Sequence, residues 1–233
     1  MQLAVIPARG GSKRIPRKNI KEFHGKPMIA WSIQAALNSG CIDEVWVSTD
    51  DEEIAAIAQT YGAKVPFIRP AHLSDDFATT ADVMQHAVQE CQIQYQQLPD
   101  YVCCLYATAP FVQQQDLLQG FELIRSKDLD YVFSATNYSF PIQRAIKIDS
   151  DGKVNMFSPE YFNTRSQDLE EAWHDAGQFY WGKTSAWLNK SVIFSSNSKI
   201  VPLPQFRVQD IDTVQDWQRA ELIAQILLGS RES

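Results

Sequence analysis

The chain has 233 residues, 45% of them hydrophobic and 21% charged, with a net charge of −7. That length fits one α/β core, the composition excludes a low-complexity or disordered chain, and the acidic balance argues against broad nucleic-acid binding, which needs a basic surface to displace counterions.

Leu3 to Ile6 is a short apolar run that gives way at Pro7-Ala8-Arg9. It is too short for a secretory core or a bilayer span, so it predicts a buried first strand in a cytoplasmic protein with no membrane partner. Further apolar, β-branched or aromatic runs predict strands over residues 44–48, 64–68, 101–106 and 131–135. Between them, apolar residues at i, i+3 and i+4 predict helices over 27–38, 51–61, 81–94 and 113–126. This alternation is the rhythm of βα units on a mostly parallel sheet. It breaks after Ala135, where residues 137–172 mix Pro141, Asp151-Gly152 and Pro159 with short alternating pieces. The Asp-Gly predicts a hairpin, and the segment reads as an arm projecting from the sheet. The chain then returns to the core at 177–181 and closes with a helix over 213–228, leaving a polar tip at 230–233. The expectation is a single domain over residues 1–233.

Ligands of open parallel sheets sit beyond the carboxyl ends of the strands. The loop there after Ile6 reads Ala8-Arg9-Gly10-Gly11-Ser12-Lys13, and its glycines allow backbone N–H groups to turn toward an anion. Arg9, Lys13, Arg14, Arg17, Lys18, Lys21 and Lys26 place seven of the chain's 21 basic residues in one stretch that holds a single acid, Glu22. In an acidic protein that concentration points to a small polyanion. The loop matches neither G-x-G-x-x-G nor G-x-x-x-x-G-K-[ST], which counts against a dinucleotide fold and a P-loop NTPase. Near the other end, Asp210 and Asp212 are two apart, so in extended backbone both carboxylates meet one face. Spacing alone serves a hard cation or a cap on the following helix equally well. Cys41, Cys91, Cys103 and Cys104 have no metal-ligand spacing and read as reduced, and His24, His72, His86 and His174 are assigned no catalytic role.

Ile6 to Lys13, followed by Arg17-Lys18-Asn19-Ile20, resembles the nucleotide-binding signature of the CMP-sugar synthetases, the group containing the CMP-sialic acid synthetases. Ser48-Thr49-Asp50, Arg69-Pro70-Ala71-His72-Leu73-Ser74-Asp75 and Asp210-Ile211-Asp212-Thr213 resemble later blocks of that family in the same order, over essentially the whole chain. Three stretches, Tyr106 to Phe111, Phe140 to Ala145 and Phe162 to Trp181, look closer to the pseudaminic acid cytidylyltransferases, with Ala107 and Ala109 departing from the sialic acid pattern.

The resemblance implies a Rossmann-like, glycosyltransferase-A-like nucleotidyltransferase domain with an inserted dimerisation arm, and a homodimer. It implies Mg²⁺-dependent transfer of CMP from CTP to a nine-carbon acidic sugar, pseudaminic acid first, feeding a bacterial surface glycan or flagellin. Arg9, Lys13 and Lys18 are the expected catalytic cations. Ala8, Gly10, Gly11, Ser12, Asn19, Arg69, Thr79 and Thr80 join them around the nucleotide, Asp210 and Asp212 hold the metal, and Arg144, Arg165 and Gln178 meet the sugar. Synthetases for N-acetylneuraminic, legionaminic or 3-deoxy-octulosonic acid are the nearest alternatives, and a non-catalytic nucleotide sensor is the alternative of another class.

Overall fold

The structure, a computed structural model, describes residues 1–227 and 229. Its elements in chain order are β1 (Gln2–Pro7), β2 (Glu22–Phe23), β3 (Lys26–Pro27), α1 (Met28–Leu37), β4 (Glu44–Ser48), α2 (Glu52–Thr60), α3 (Thr80–Tyr95), β5 (Tyr101–Leu105), α4 (Gln114–Ser126), β6 (Tyr131–Asn137), β7 (Ile146–Ile148), β8 (Val154–Met156), β9 (Trp173–Lys183), α5 (Thr184–Leu188), β10 (Ser198–Pro202) and α6 (Val214–Leu227). The last predicted position of the final helix, Leu228, and the tip at 230–233 lie outside the described residues.

Six strands form one sheet in the order β10-β6-β9-β5-β1-β4. β4 and β5 flank β1 in parallel, and β10 is parallel to β6. β9 runs antiparallel between β5 and β6, so five strands point one way and one returns. The α/β, mostly parallel class is as expected.

Alternation along the strands splits the core between two sheet faces. Ala4, Ile6, Cys103, Leu105, Phe179 and Trp181 join residues of α1 and α4 on one face, while Leu3, Val5, Val102, Cys104, Tyr180 and Trp187 join α3 on the other. Both faces are covered, which is why β1 and β5 read as continuous apolar runs. Helix starts follow local chemistry. Asp51 accepts the N–H of Ile54 at the start of α2, and Thr79 with Asp82 makes a reciprocal cap on α3.

One expected strand is not formed. Residues 64–68 contribute only isolated bridges, Trp46 to Lys64 and Thr49 to Ile68. Pro66 sits between them and has no N–H to continue a ladder. Phe67 instead packs edge-on against Trp46, with ring centroids 6.1 Å apart. Within residues 137–172 the expected hairpin forms as β7–β8, apart from the main sheet, and the exposed apolar residues of this segment include Phe140, Ile148, Val154, Phe157 and Phe162. Four elements carried no sequence expectation: the short antiparallel pair β2–β3, α5, and edge strand β10, which lies between polar Asn197 and Pro204.

Candidate active site

The loop after β1 is anchored before it is charged. The Ala8 N–H donates to the Ser48 carbonyl at 2.9 Å, and Asn19 Nδ2 donates to the Arg9 carbonyl at 3.0 Å. The Gly10 N–H donates to Asp50 Oδ1 at 3.0 Å, and a Cβ on Gly10 would stand 2.6 Å from Asp51 Oδ2. Gly10 is therefore glycine because an acidic turn packs against it. Its amide, expected to turn toward an anion, is taken here by the Asp50 carboxylate of the chain itself.

Beside this loop lies an open cleft of about 450 Å³. Of the expected nucleotide residues, Arg9, Ser12, Lys13, Lys18, Asn19, Arg69 and Thr80 line it, and Arg14, Asp76, Tyr106, Thr108 and Asp212 join them. Thr79 is spent on the α3 cap. Arg69 is buried, donating to the Ser48 carbonyl at 2.5 Å and the Leu73 carbonyl at 3.3 Å, and burial pushes its pKa down.

Two carboxylates hold four cations in this cleft. Asp76 takes Arg9 at 2.8 Å and Lys13 at 2.6 Å. Asp212 takes Arg14 at 2.6 Å and Lys18 at 3.1 Å, and Lys18 also donates to the Ile211 carbonyl at 2.6 Å. The other three cations of the basic stretch are scaffold. Arg17 grips Asp51 with both terminal nitrogens and reaches Glu53 at 2.5 Å. Lys21 lies 4.4 Å from the ring centre of Trp217 and Lys26 3.5 Å from that of Trp31.

The Arg17 hydrogen bonds hold the Asp51 carboxyl down at about 2, against the opposing effect of burial. A depressed carboxyl gives stability that is fully present above the ordinary carboxylate pKa near 4 and is lost as pH falls through the folded value. Asp51→Asn is accordingly expected to flatten the decline of stability between pH of about 4 and about 2. Urea midpoints across that window, compared with the parent, check this.

A second cavity of about 630 Å³ shares Tyr106 and Thr108 with the cleft, and His174, Asp175, Tyr180, Asp210 and Arg219 complete much of its wall. Asp175 is fixed from two sides, by the Tyr180 hydroxyl at 2.5 Å and the Gly177 N–H at 2.8 Å. Asp210 faces this cavity while Asp212 faces the cleft, so the pair stands on the border between them. Burial, and then the charge of Asp212, pushes the Asp210 carboxyl up. Burial also opposes ionisation of Asp212, yet the Lys18 hydrogen bond and the charges of Lys18 and Arg14 leave it lowered overall.

The cap on α6 is made by Thr213 and Asp216, through Thr213 N–H to Asp216 Oδ2 at 2.8 Å and Asp216 N–H to Thr213 Oγ1 at 3.2 Å. The carboxylate of Asp212 is not needed there. Among the described residues no cluster of three or more His, Cys, Asp or Glu side chains could cage a metal. Two carboxylates, one of them crowded by the other, fit a Mg²⁺ ion that takes its remaining ligands from phosphates and water.

The expected sugar residues are not brought together. Arg144 and Arg165 sit on the arm, paired with Ser166 at 3.3 Å and Asp168 at 2.7 Å, and line neither cavity. Gln178 is 2% exposed and turned away, its Nε2 donating to the Arg207 carbonyl at 2.6 Å. Residues that sequence reasoning missed are Arg14, Asp76, Asp175 and Arg219. Arg14 lay within the basic stretch, Asp76 within the 69–80 connection and Asp175 within the resembling stretch Phe162 to Trp181, whereas nothing in the local sequence of Arg219 sets it apart. All four cysteines are buried free thiols, and burial raises the pKa of Cys103 and Cys104, consistent with no nucleophilic role. No helix among the described residues is long and apolar enough to cross a membrane.

Residues 3–225 match the family model described as cytidylyltransferase. A pseudaminic acid cytidylyltransferase of Campylobacter jejuni is 49% identical over 96% of each chain. A CMP-N,N'-diacetyllegionaminic acid synthase of Legionella pneumophila is 35% identical, also over 96% of each chain. A solved CMP:2-keto-3-deoxy-manno-octonic acid synthetase complexed with CTP shares the fold, with a TM-score of 0.70 at 21% identity over 97% of this chain and 99% of that one. The loop of cations beyond β1, the bordering acidic pair and these matches along the chain lead to one conclusion: the chain belongs to the cytidylyltransferase family.

Proposed function

We propose that this enzyme transfers CMP from CTP to pseudaminic acid, releasing pyrophosphate. The observation that carries the reading is the pair of adjoining cavities, one walled by several cations and the other holding Arg219, with Asp210 and Asp212 on their border. The 49% identity to an enzyme named for pseudaminic acid supports the choice of sugar.

In this reading the triphosphate enters the first cleft and displaces Asp76 from Arg9 and Lys13, which then neutralise the phosphates together with Lys18. Asn19 keeps the loop in place through the Arg9 carbonyl. The sugar occupies the second cavity, its anomeric hydroxyl beside the border. That oxygen attacks the α-phosphorus, the bond to the bridging oxygen of the departing pyrophosphate breaks, and the hydroxyl proton passes to solvent. Mg²⁺ held by Asp210 and Asp212 would polarise the α-phosphate and acidify the attacking hydroxyl. The chain's own residues supply position and fixed charge, the main requirements of such transfers. Arg219 is the cation of the second cavity suited to a sugar carboxylate.

The reading includes a cytoplasmic homodimer built on the arm. Phe140, Ile148, Val154, Phe157 and Phe162 are exposed on and around a hairpin too small to be stable alone. Pairing through it would give Arg144 and Arg165 a way to reach the partner's second cavity, which their own chain does not offer. The product would serve a bacterial surface glycan or flagellin.

Pyrophosphate release tests the reading. It is expected with CTP, Mg²⁺ and pseudaminic acid together, and not when the sugar is omitted. Release from CTP alone would mean hydrolysis, and no release in any mixture would return the chain to a nucleotide-binding role.

A further inference from the structure

The segment that carries Asp210 and Asp212 is fastened from behind by a buried ion pair that no site residue explains. Arg207, 9% exposed, donates from Nη1 to Asp116 Oδ2 at 2.5 Å and from Nη2 to Asp116 Oδ1 at 3.0 Å. Asp116, 6% exposed, lies in the first turn of α4, where it also accepts the Gln113 N–H at 2.9 Å. The Arg207 carbonyl in turn takes the Gln178 side-chain amide at 2.6 Å, and the Gln178 carbonyl takes the Tyr106 N–H at 2.9 Å. Three walls of the second cavity, Tyr106 at the end of β5, Ala176-Gly177 in β9 and Val208 to Asp210, are thereby tied to one buried point.

Beyond Arg207 the segment is held at Val208, whose N–H donates to the Gln205 carbonyl at 3.0 Å, and again at Ile211. That side chain is buried with Phe111 and Trp217, and its carbonyl accepts from Lys18. Asp210 lies between these fastenings, on the wall of the second cavity. A buried ion pair adds little net stability because desolvation offsets its attraction, but a bidentate arginine fork fixes direction as well as distance.

We propose that Arg207, braced by Asp116 and Gln178, is a positioning residue that sets the Asp210-Ile211-Asp212 segment for a divalent cation. The inference rests on the reading of Asp210 and Asp212 as cation ligands. Groups that orient ligands from behind are worth about 10- to 100-fold in metal affinity or activity when removed.

Removing Arg207 alone leaves Asp116 buried and unpaired, which endangers folding. The test therefore uses Arg207→Met combined with Asp116→Asn, which removes both charges and keeps an acceptor for the α4 cap, and Arg207→Lys as the conservative variant. Mn²⁺ binding is followed by electron paramagnetic resonance in the presence of CTP, with no sugar and hence no turnover, and melting temperature reports folding. The double variant is expected to bind Mn²⁺ about 10-fold more weakly while remaining folded. The affinity of Arg207→Lys should fall between the double variant and the parent. An unchanged Mn²⁺ affinity in both variants, with the parent binding tightly, overturns the inference and leaves the cation reading standing. If Asp212→Asn binds Mn²⁺ as the parent does, the cation reading itself fails and this inference falls with it.

Discussion

Asp212→Asn is expected to lower kcat by about 10²- to 10³-fold, the scale of removing one fixed electrostatic group from a transition state, while CTP binding weakens little. The side chain is nearly isosteric, so the change isolates charge. Asp212 now pairs with Arg14 and Lys18. An amide in its place releases both cations toward the triphosphate, which offsets any ground-state attraction lost with the cation. A loss confined to kcat marks an interaction made in the transition state. Steady-state kinetics with CTP calorimetry alongside separates the two quantities, and an unchanged kcat would remove Asp212 from the chemistry.

Lys18→Met should cost about 10²-fold in kcat/KM, spread over both constants. Of the four cations held by Asp76 and Asp212, Lys18 is the most enclosed, with 17% of its side chain exposed against 39%, 65% and 79% for Arg9, Arg14 and Lys13. Its ammonium joins the loop to the acidic segment through both the Asp212 carboxylate and the Ile211 carbonyl. Hydrogen bonds to charged groups are worth about 1.5–3 kcal/mol, which converts to roughly 10- to 160-fold. Arg17→Met provides the contrast. Its partners Asp51 and Glu53 are scaffold, so the expected loss is stability with kcat/KM within a few fold. Equal kinetic losses in the two variants would refute the division of the basic stretch into cleft and scaffold.

That division was not legible in the sequence. Arg9, Lys13 and Lys18 stood out because cations surround a glycine pair after a buried strand, and all three line the cleft. Arg17 and Lys21 belong to the same stretch, but which way a side chain turns depends on Asp51 and Trp217, distant in the chain. The helices and the strands of the main sheet through β6 were readable from periodicity because both sheet faces are buried, except at 64–68, where Pro66 overrides an otherwise apolar run, while the two-residue strands β2 and β3 are too short to show a period. Asp210 and Asp212 were readable as a pair but not as a border, since the border exists only where β9 returns antiparallel beside β5. Gln178 shows the limit most sharply. It sits in a stretch resembling sugar-site residues, yet its side chain points inward to the Arg207 carbonyl, a contact that only the folded segment 205–212 creates.

The most direct measurement of the central claim is pyrophosphate release from CTP and Mg²⁺ with pseudaminic acid and N-acetylneuraminic acid in parallel, the products identified by mass. The account predicts release and a CMP-sugar with pseudaminic acid and little with the other sugar. Release with N-acetylneuraminic acid alone would contradict the assignment of the second cavity, and silence with both would contradict the proposed transfer.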